Sequence, residues 1–160
     1  MNRELFSQNI HQYEHGMYTL AYGILKNPED ASDAVQEAIL KAWCSLDSLR
    51  DAKQFRPWIM RIVHNTALGF LRGHRETVDI DQQWELSAPE ADHDTRLTVW
   101  QAVEQLRMPY RLVIVLFYYE NCDVRQIAAI TATPAAAVRQ QLSRGRKMLA
   151  ALLNKEDFLT

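Results

Sequence analysis

The sequence predicts an all-α chain: two small helical domains joined by a flexible acidic linker. Three observations predict it. Apolar residues recur at spacings of three and four over residues 10–25, 31–42 and 55–71, and again after residue 97, the period of helices with one buried face. Helix-start signals precede two of these runs, Asn27-Pro28 and Thr133-Pro134. Between the two sets, residues 74–95 show no helical period and include Asp79, Asp81, Pro89, Asp92 and Asp94, a composition of tethers rather than packed cores. The boundaries read from this are 1–73, 74–95 and 96–160.

The 160 residues suit two small domains. Apolar residues make up 48% and charged residues 24%, which excludes wholesale disorder and collagen-like repeats. The first helix spans 9–26, with Ile10, Tyr13, Met17, Leu20, Ala21, Ile24 and Leu25 on one face. The second starts at Asn27-Pro28-Glu29-Asp30, where Asn27 caps and the acids meet the positive end of the helix dipole. It runs to about Trp43 with Ala31, Val35, Ala38, Ile39 and Ala42 buried. After a polar break at 47–54, a third helix runs from Phe55 to Leu71, with Pro57 in its first turn. Trp58 is read as core packing, and Gly73 as the end of the unit. Trp84 is the one conspicuous apolar residue of the linker.

Leu97, Trp100, Val103 and Leu106 form the next helix, broken at Met108-Pro109. Leu112 to Tyr119 is apolar and β-branched enough for a strand. A helix is preferred, because Pro109 suits a first turn and there is no second strand to pair with. A short helix, Val124 to Ile130, then presents Ile127 and Ala128 inward, with a tight turn at Thr131-Ala132. Ala132 implies either a turn that avoids positive φ or a mildly strained one. Thr133 caps and Pro134 starts a last helix buried through Val138, Leu142 and Leu149. Its other faces hold Arg139, Gln140, Gln141, Ser143, Arg144, Arg146 and Lys147, with no acid between 134 and 148. This is the layout of a helix-turn-helix, whose second helix enters the major groove.

The net charge of −2 conceals a segregation. Residues 1–49 hold seven acids and three bases, 50–75 one acid and six bases, 76–96 seven acids and one base, and 97–160 five acids and eight bases. Two basic zones thus follow two acidic ones, aligned with the helical boundaries. Cys44 and Cys122 stand far apart and outside any C-x-x-C pair, so neither a disulfide framework nor structural zinc is expected. Both are read as small buried residues in a reducing compartment. The N-terminus lacks the apolar core of a signal peptide, and the expectation is a soluble, cytoplasmic protein.

Two segments carry a family resemblance. Asn27-Pro28-Glu29-Asp30-Ala31-Ser32-Asp33-Ala34-Val35-Gln36-Glu37, with Lys41-Ala42-Trp43 and then Phe55-Arg56-Pro57-Trp58-Ile59-Met60-Arg61-Ile62-Val63-His64-Asn65-Thr66-Ala67, strongly resembles region 2 of bacterial sigma factors. Residues 106–149 resemble region 4, which ends in the helix-turn-helix. With only these two regions, the chain is similar to the compact extracytoplasmic-function (ECF) group of the sigma-70 family.

The resemblance implies a dissociable RNA polymerase subunit with no catalysis of its own. It binds core polymerase at the coiled coil of the largest subunit and at the flap region, recognises the −10 and −35 promoter elements, and assists melting. It implies no cofactor, metal or small-molecule substrate. It also implies an anti-sigma factor, often membrane-bound in such proteins. The core-binding residues carried over are Asp30, Asp33, Gln36 and Glu37, of which the three acids share one helical face by their spacing. The −10 residues are Leu49, Arg50, Lys53, Arg61, His64, Asn65 and Arg72. By the resemblance Asn65 helps hold a flipped-out base, and its amide both donates and accepts. Relatives often have an aromatic where Leu49 stands, which removes a stacking platform. The −35 residues are Thr133, Ala136, Arg139, Gln140, Gln141, Ser143, Arg144 and Lys147. Ala132, Ala136-Ala137 and Gln141 depart from the common pattern, in which Gly, Gly-Thr and Arg are frequent, so no particular base contact is assigned.

Two other readings compete. A dimeric helix-turn-helix regulator with an N-terminal sensing domain explains 123–148 but not the acidic helix or the Phe55 to Ala67 block. A metal-dependent or hydrolytic enzyme would use His11, His15, His64 and the acids of the second helix. His11 and His15 are correctly spaced, but no H-E-x-x-H pattern accompanies them.

Overall fold

A computed structural model describes residues 1–77 and 98–157, with side chains for 1–73 and 98–153. Most of the expected linker, Trp84 and Leu97 lie outside the described residues. Among the described residues the chain is α-helical with no strand.

The first unit packs α1 (Arg3–Leu25), α2 (Pro28–Cys44) and α3 (Phe55–Thr77) against one another. Helix α1 begins well before residue 9, because the Asn2 carboxamide accepts the Leu5 N–H at 2.8 Å and caps it there. This brings Phe6 into the core, edge-on to Trp43 and Phe55. Asn27 caps α2 as expected, its side chain accepting the Asp30 N–H at 3.0 Å. Ala31, Ala34, Ala38 and Ala42 are fully buried, and their small side chains let α2 lie close on its neighbours. Leu46–Ser48 and Ala52–Gln54 form short 3-10 turns that lead into α3. Gly73 does not end α3, which continues to Thr77. A Cβ at Gly73 would meet nothing within 4 Å, and an exposed helical glycine costs only about 1 kcal/mol against alanine. Cys122 is buried as expected; Cys44 is exposed, at the end of α2.

The second unit contains α4 (Val99–Gln105), α5 (Tyr110–Ile114), α6 (Val124–Thr131) and α7 (Ala135–Asp157). Thr98 with Gln101, and Asp123 with Gln126, form reciprocal capping boxes at the starts of α4 and α6. The Met108–Pro109 peptide bond is cis. The run 112–119 is helical rather than extended, and its second half, Val115–Tyr119, widens into a π turn. Helices α5, α6 and α4 all pack on α7. Gly145 sits at a close approach of α7 to α5, where a Cβ would lie 3.1 Å from Ile114 Cγ1.

The units do not stand apart. Helix α3 packs on α6, and α1 packs on α5 and the π turn, so both contribute to one continuous core. Two arginines cross the boundary. Arg111 of α5 is buried and donates to the Gly23, Ile24 and Leu106 carbonyls, the last two at 3.1 and 2.8 Å. Gly23 and Ile24 are at the C-terminus of α1, where carbonyls lack intrahelical donors and a cation meets the negative dipole end. Arg56 of α3 donates to the Glu120 carbonyl, and lies 3.9 Å from its carboxylate. Tyr22 stacks on Trp100 at 6.1 Å between them.

Candidate nucleic-acid and partner interfaces

On α2, Asp33, Gln36 and Glu37 are exposed and Asp30 half-exposed. The buried alanines point the other way, which forces these polar side chains into solvent. Glu37 pairs with Lys41 at 3.4 Å, and Lys41 reaches Thr66 on α3 at 3.5 Å. Sequence reasoning missed Leu40. It follows Asp33, Gln36 and Glu37 at helical spacing and is 68% exposed. The available signal was that spacing: a leucine seven residues after Asp33 cannot join the alanine stripe.

On α3, Arg61, Asn65 and Arg72 are exposed. Arg61 and Asn65 are four apart and share a face, and the Arg72 Nε donates to the Leu68 carbonyl at 3.5 Å. His64 is placed differently from its expected role at the DNA face. It is 6% exposed, with Nδ1 3.2 Å from Asn65 Oδ1. Burial lowers its pKa below the ordinary value, opposed by the Asn65 contact and aided by Arg61. A neutral His64 therefore orients Asn65 from behind instead of offering a surface cation.

The loop ahead of α3 is shaped by its own bonds. Trp58 Nε1 donates to Ser48 Oγ at 3.1 Å, and Asp51 Oδ1 accepts the Lys53 N–H at 3.0 Å. Trp58 packs on the core as expected and ties down the loop besides. Leu49 is partly buried against the core, while Arg50 and Lys53 are exposed. The loop thus exposes two cations while its leucine packs inward in part.

In the helix-turn-helix, Ile127 and Ile130 of α6 and Val138 and Leu142 of α7 are buried, whereas Ala128 is only partly so. Ala132 adopts φ 53°, the strained option. The Thr133 hydroxyl donates to the Thr131 carbonyl at 3.3 Å. Ala136, Arg139, Gln140, Ser143 and Lys147 are exposed and recur at threes and fours on one face. Gln141 is partly buried at its flank. Arg144, though exposed, stands beside the Tyr110 hydroxyl and lowers its pKa by hydrogen bonding. Arg146 is engaged inward, donating to the Tyr118 hydroxyl at 2.7 Å and covering the Phe117 ring.

For the enzyme reading, His11 lies 4.0 Å from Glu14 on an exposed turn of α1. No group of three or more metal-ligating side chains occurs among the described residues. No helix among them is long and apolar enough to cross a membrane.

The arrangement is an all-α chain with an acid-faced helix in its first unit and a helix-turn-helix in its second, and known proteins with this arrangement are promoter-recognition subunits of RNA polymerase. Sigma-70 region 2 matches residues 10–77, and sigma-70 region 4 matches 96–149. The chain is 31% identical to the RNA polymerase sigma factor SigV of Bacillus subtilis, over 93% of this chain and 91% of that protein. It is 29% identical to the ECF RNA polymerase sigma-E factor of Escherichia coli K12, over 92% and 86% respectively. Among solved structures it resembles CnrH in complex with the cytosolic domain of CnrY, at TM-score 0.72 and 25% identity, covering 96% of this chain and 90% of that one. It shares the fold of the sigma factor RpoE from Bartonella quintana, solved with the anti-sigma factor NepR, at TM-score 0.71 and 22% identity over 93% and 96%. The chain belongs to the ECF group of the sigma-70 family and is an alternative-sigma transcription initiation factor. The dimeric-regulator reading gives the N-terminal half to a sensor, and residues 10–77 of that half match sigma-70 region 2 instead.

Proposed function

We propose that the chain, in the cytoplasm and without catalysis of its own, binds core polymerase through Asp30, Asp33, Gln36, Glu37 and Leu40. It reads the −10 element through α3 and its preceding loop, and the −35 element through α7. The domain limits that go with this are 1–73 and 96–160, with 74–95 as tether. The observation that carries the reading is the pairing of an exposed Asn65, backed by buried His64, with a loop already folded by Trp58 and Ser48. A base extruded from the duplex costs a few kcal/mol, so an ordered loop together with a donor–acceptor amide on α3 favours capture. Leu49 offers no aromatic face on that loop, so selectivity falls more on Asn65 than on stacking.

The flanking arginines and lysines supply phosphate contacts, and the acid-free face of α7 supplies those in the major groove. The solved relatives were captured with NepR and with the cytosolic domain of CnrY; an anti-sigma partner is proposed here on that likeness.

The test separates two readouts. Asn65→Ala should lower open-complex formation at least about tenfold, the loss of one or two good hydrogen bonds, while affinity for core polymerase stays unchanged. Equal losses in both would assign Asn65 to folding and remove it from base capture.

A further inference from the structure

We propose that a cavity lined by Tyr18, Tyr22, Trp100, Tyr119 and Glu120 is a binding site for a small organic cation, an alkylammonium group on a compact apolar body. The site lies off the promoter-reading faces and does not rest on the sigma reading. The cavity opens where α1, α4 and the end of the π turn meet, with a volume of about 540 Å³, which is within the range of small-ligand sites. Tyr18 and Tyr22, four residues apart on α1, line up with Trp100 of α4. Their successive ring centres are 6.2 and 6.1 Å apart, and their planes differ by 22° and 23°. Tyr119 stands upright against Trp100, at 4.8 Å and 77°. The rings therefore make a wall and a corner. The face of each ring is negative, so a cation within about 6 Å of the ring centres is attracted.

Glu120 supplies a full charge beside the rings. The Glu120 N–H closes the π turn on the Val115 carbonyl at 3.2 Å, and this wider turn brings two consecutive residues, Tyr119 and Glu120, to the cavity lining. The Glu120 side chain is only 12% exposed. Gly16 makes room for it, since a Cβ there would collide with Glu120 Oε2. The groups that face this carboxylate do not fully compensate it. Arg56 of α3 is 3.9 Å away, too long for a hydrogen bond. The Thr19 hydroxyl donates to it and His15 stands close, both from α1, yet burial outweighs all three and raises the carboxyl pKa. At the far end of the wall the Tyr22 hydroxyl is hydrogen-bonded to Glu104. Arg111, the cation beside Tyr22, is committed to backbone carbonyls. A row of ring faces with an acid at each end suits a cation and repels an anion.

The test uses the full chain and two probes of one shape. They are choline and dimethylbutanol, in which carbon replaces the charged nitrogen. Titration calorimetry should show choline saturating one site and binding about tenfold or more tightly than dimethylbutanol, the contribution of a desolvated cation–π contact with a carboxylate nearby. Glu120→Gln keeps the shape of the cavity and removes its charge; it should lower choline affinity about fivefold and leave dimethylbutanol unchanged. Tyr119→Leu removes a ring that is 39% exposed, so the fold tolerates it, and it should also lower choline affinity about fivefold. Thermal melting monitored by circular dichroism shows whether each variant folds as the parent chain does. No saturable binding of choline would overturn the proposal. So would equal affinities for the two probes, or a natively folded Tyr119→Leu that binds choline as the parent does.

Discussion

His64 and Asn65 are neighbours in the sequence with opposite surroundings. One helical step takes a residue from the edge of the apolar face to solvent. His64 lies four residues after buried Met60 and three before buried Ala67, so helical spacing places it on the buried face. Burial lowers the His64 pKa. The unfolded chain takes up a proton near pH 6.5 while the native state stays neutral, so this stability is present above that pH and lost as pH falls. Glu120 has the opposite sense: burial raises its pKa despite Arg56, so its contribution is lost as pH rises. Urea unfolding across pH 7 to 5 should therefore show an acid-side loss that His64→Gln reduces, measured as the difference from the parent chain. Ala132 offers a second test. Its left-handed backbone costs about 1–2 kcal/mol, so Ala132→Gly should raise stability by about 1 kcal/mol in chemical denaturation, less the added chain entropy of glycine. The sequence left this turn open between two geometries, because an alanine tolerates either at modest cost.

At the scale of elements, the start of α2 was fully legible, since Asn27, Pro28 and two acids form a local signal that needs no tertiary context. The start of α1 was not, because Asn2 caps a polar first turn that carries no apolar period until Phe6. On α7 the exposed cations divide by what stands behind them. Lys147 faces solvent, whereas Arg146 is held by Tyr118 and Phe117. Lys147→Ala should weaken binding to −35 duplex and flatten its salt dependence by a slope of about 0.9, one phosphate contact. Arg146→Ala should leave that slope unchanged and cost about 1 kcal/mol of stability, through a lost charge-assisted bond and cation–π contact. Equal slopes for both would remove Lys147 from the phosphate-binding row. Periodicity identified the helix, but it could not distinguish these two cations, because the aromatic partners sit nearly thirty residues earlier.

At the scale of the molecule, composition already divided the chain into two helical units with alternating charge. It did not show that the units share a core. That fact depends on Arg111, which caps a helix ending more than eighty residues before it, and on glycines whose role is defined only by what approaches them. Arg111→Met should cost more than about 2 kcal/mol in denaturant unfolding, since it leaves buried carbonyls without donors. The account as a whole stands on promoter-directed initiation. The most direct measurement is transcription by purified core polymerase from a library of genomic promoters, with and without this chain. The account predicts a small set of discrete start sites that neither component yields alone. Transcripts unchanged by the chain, together with no detectable binding to core polymerase, would contradict it.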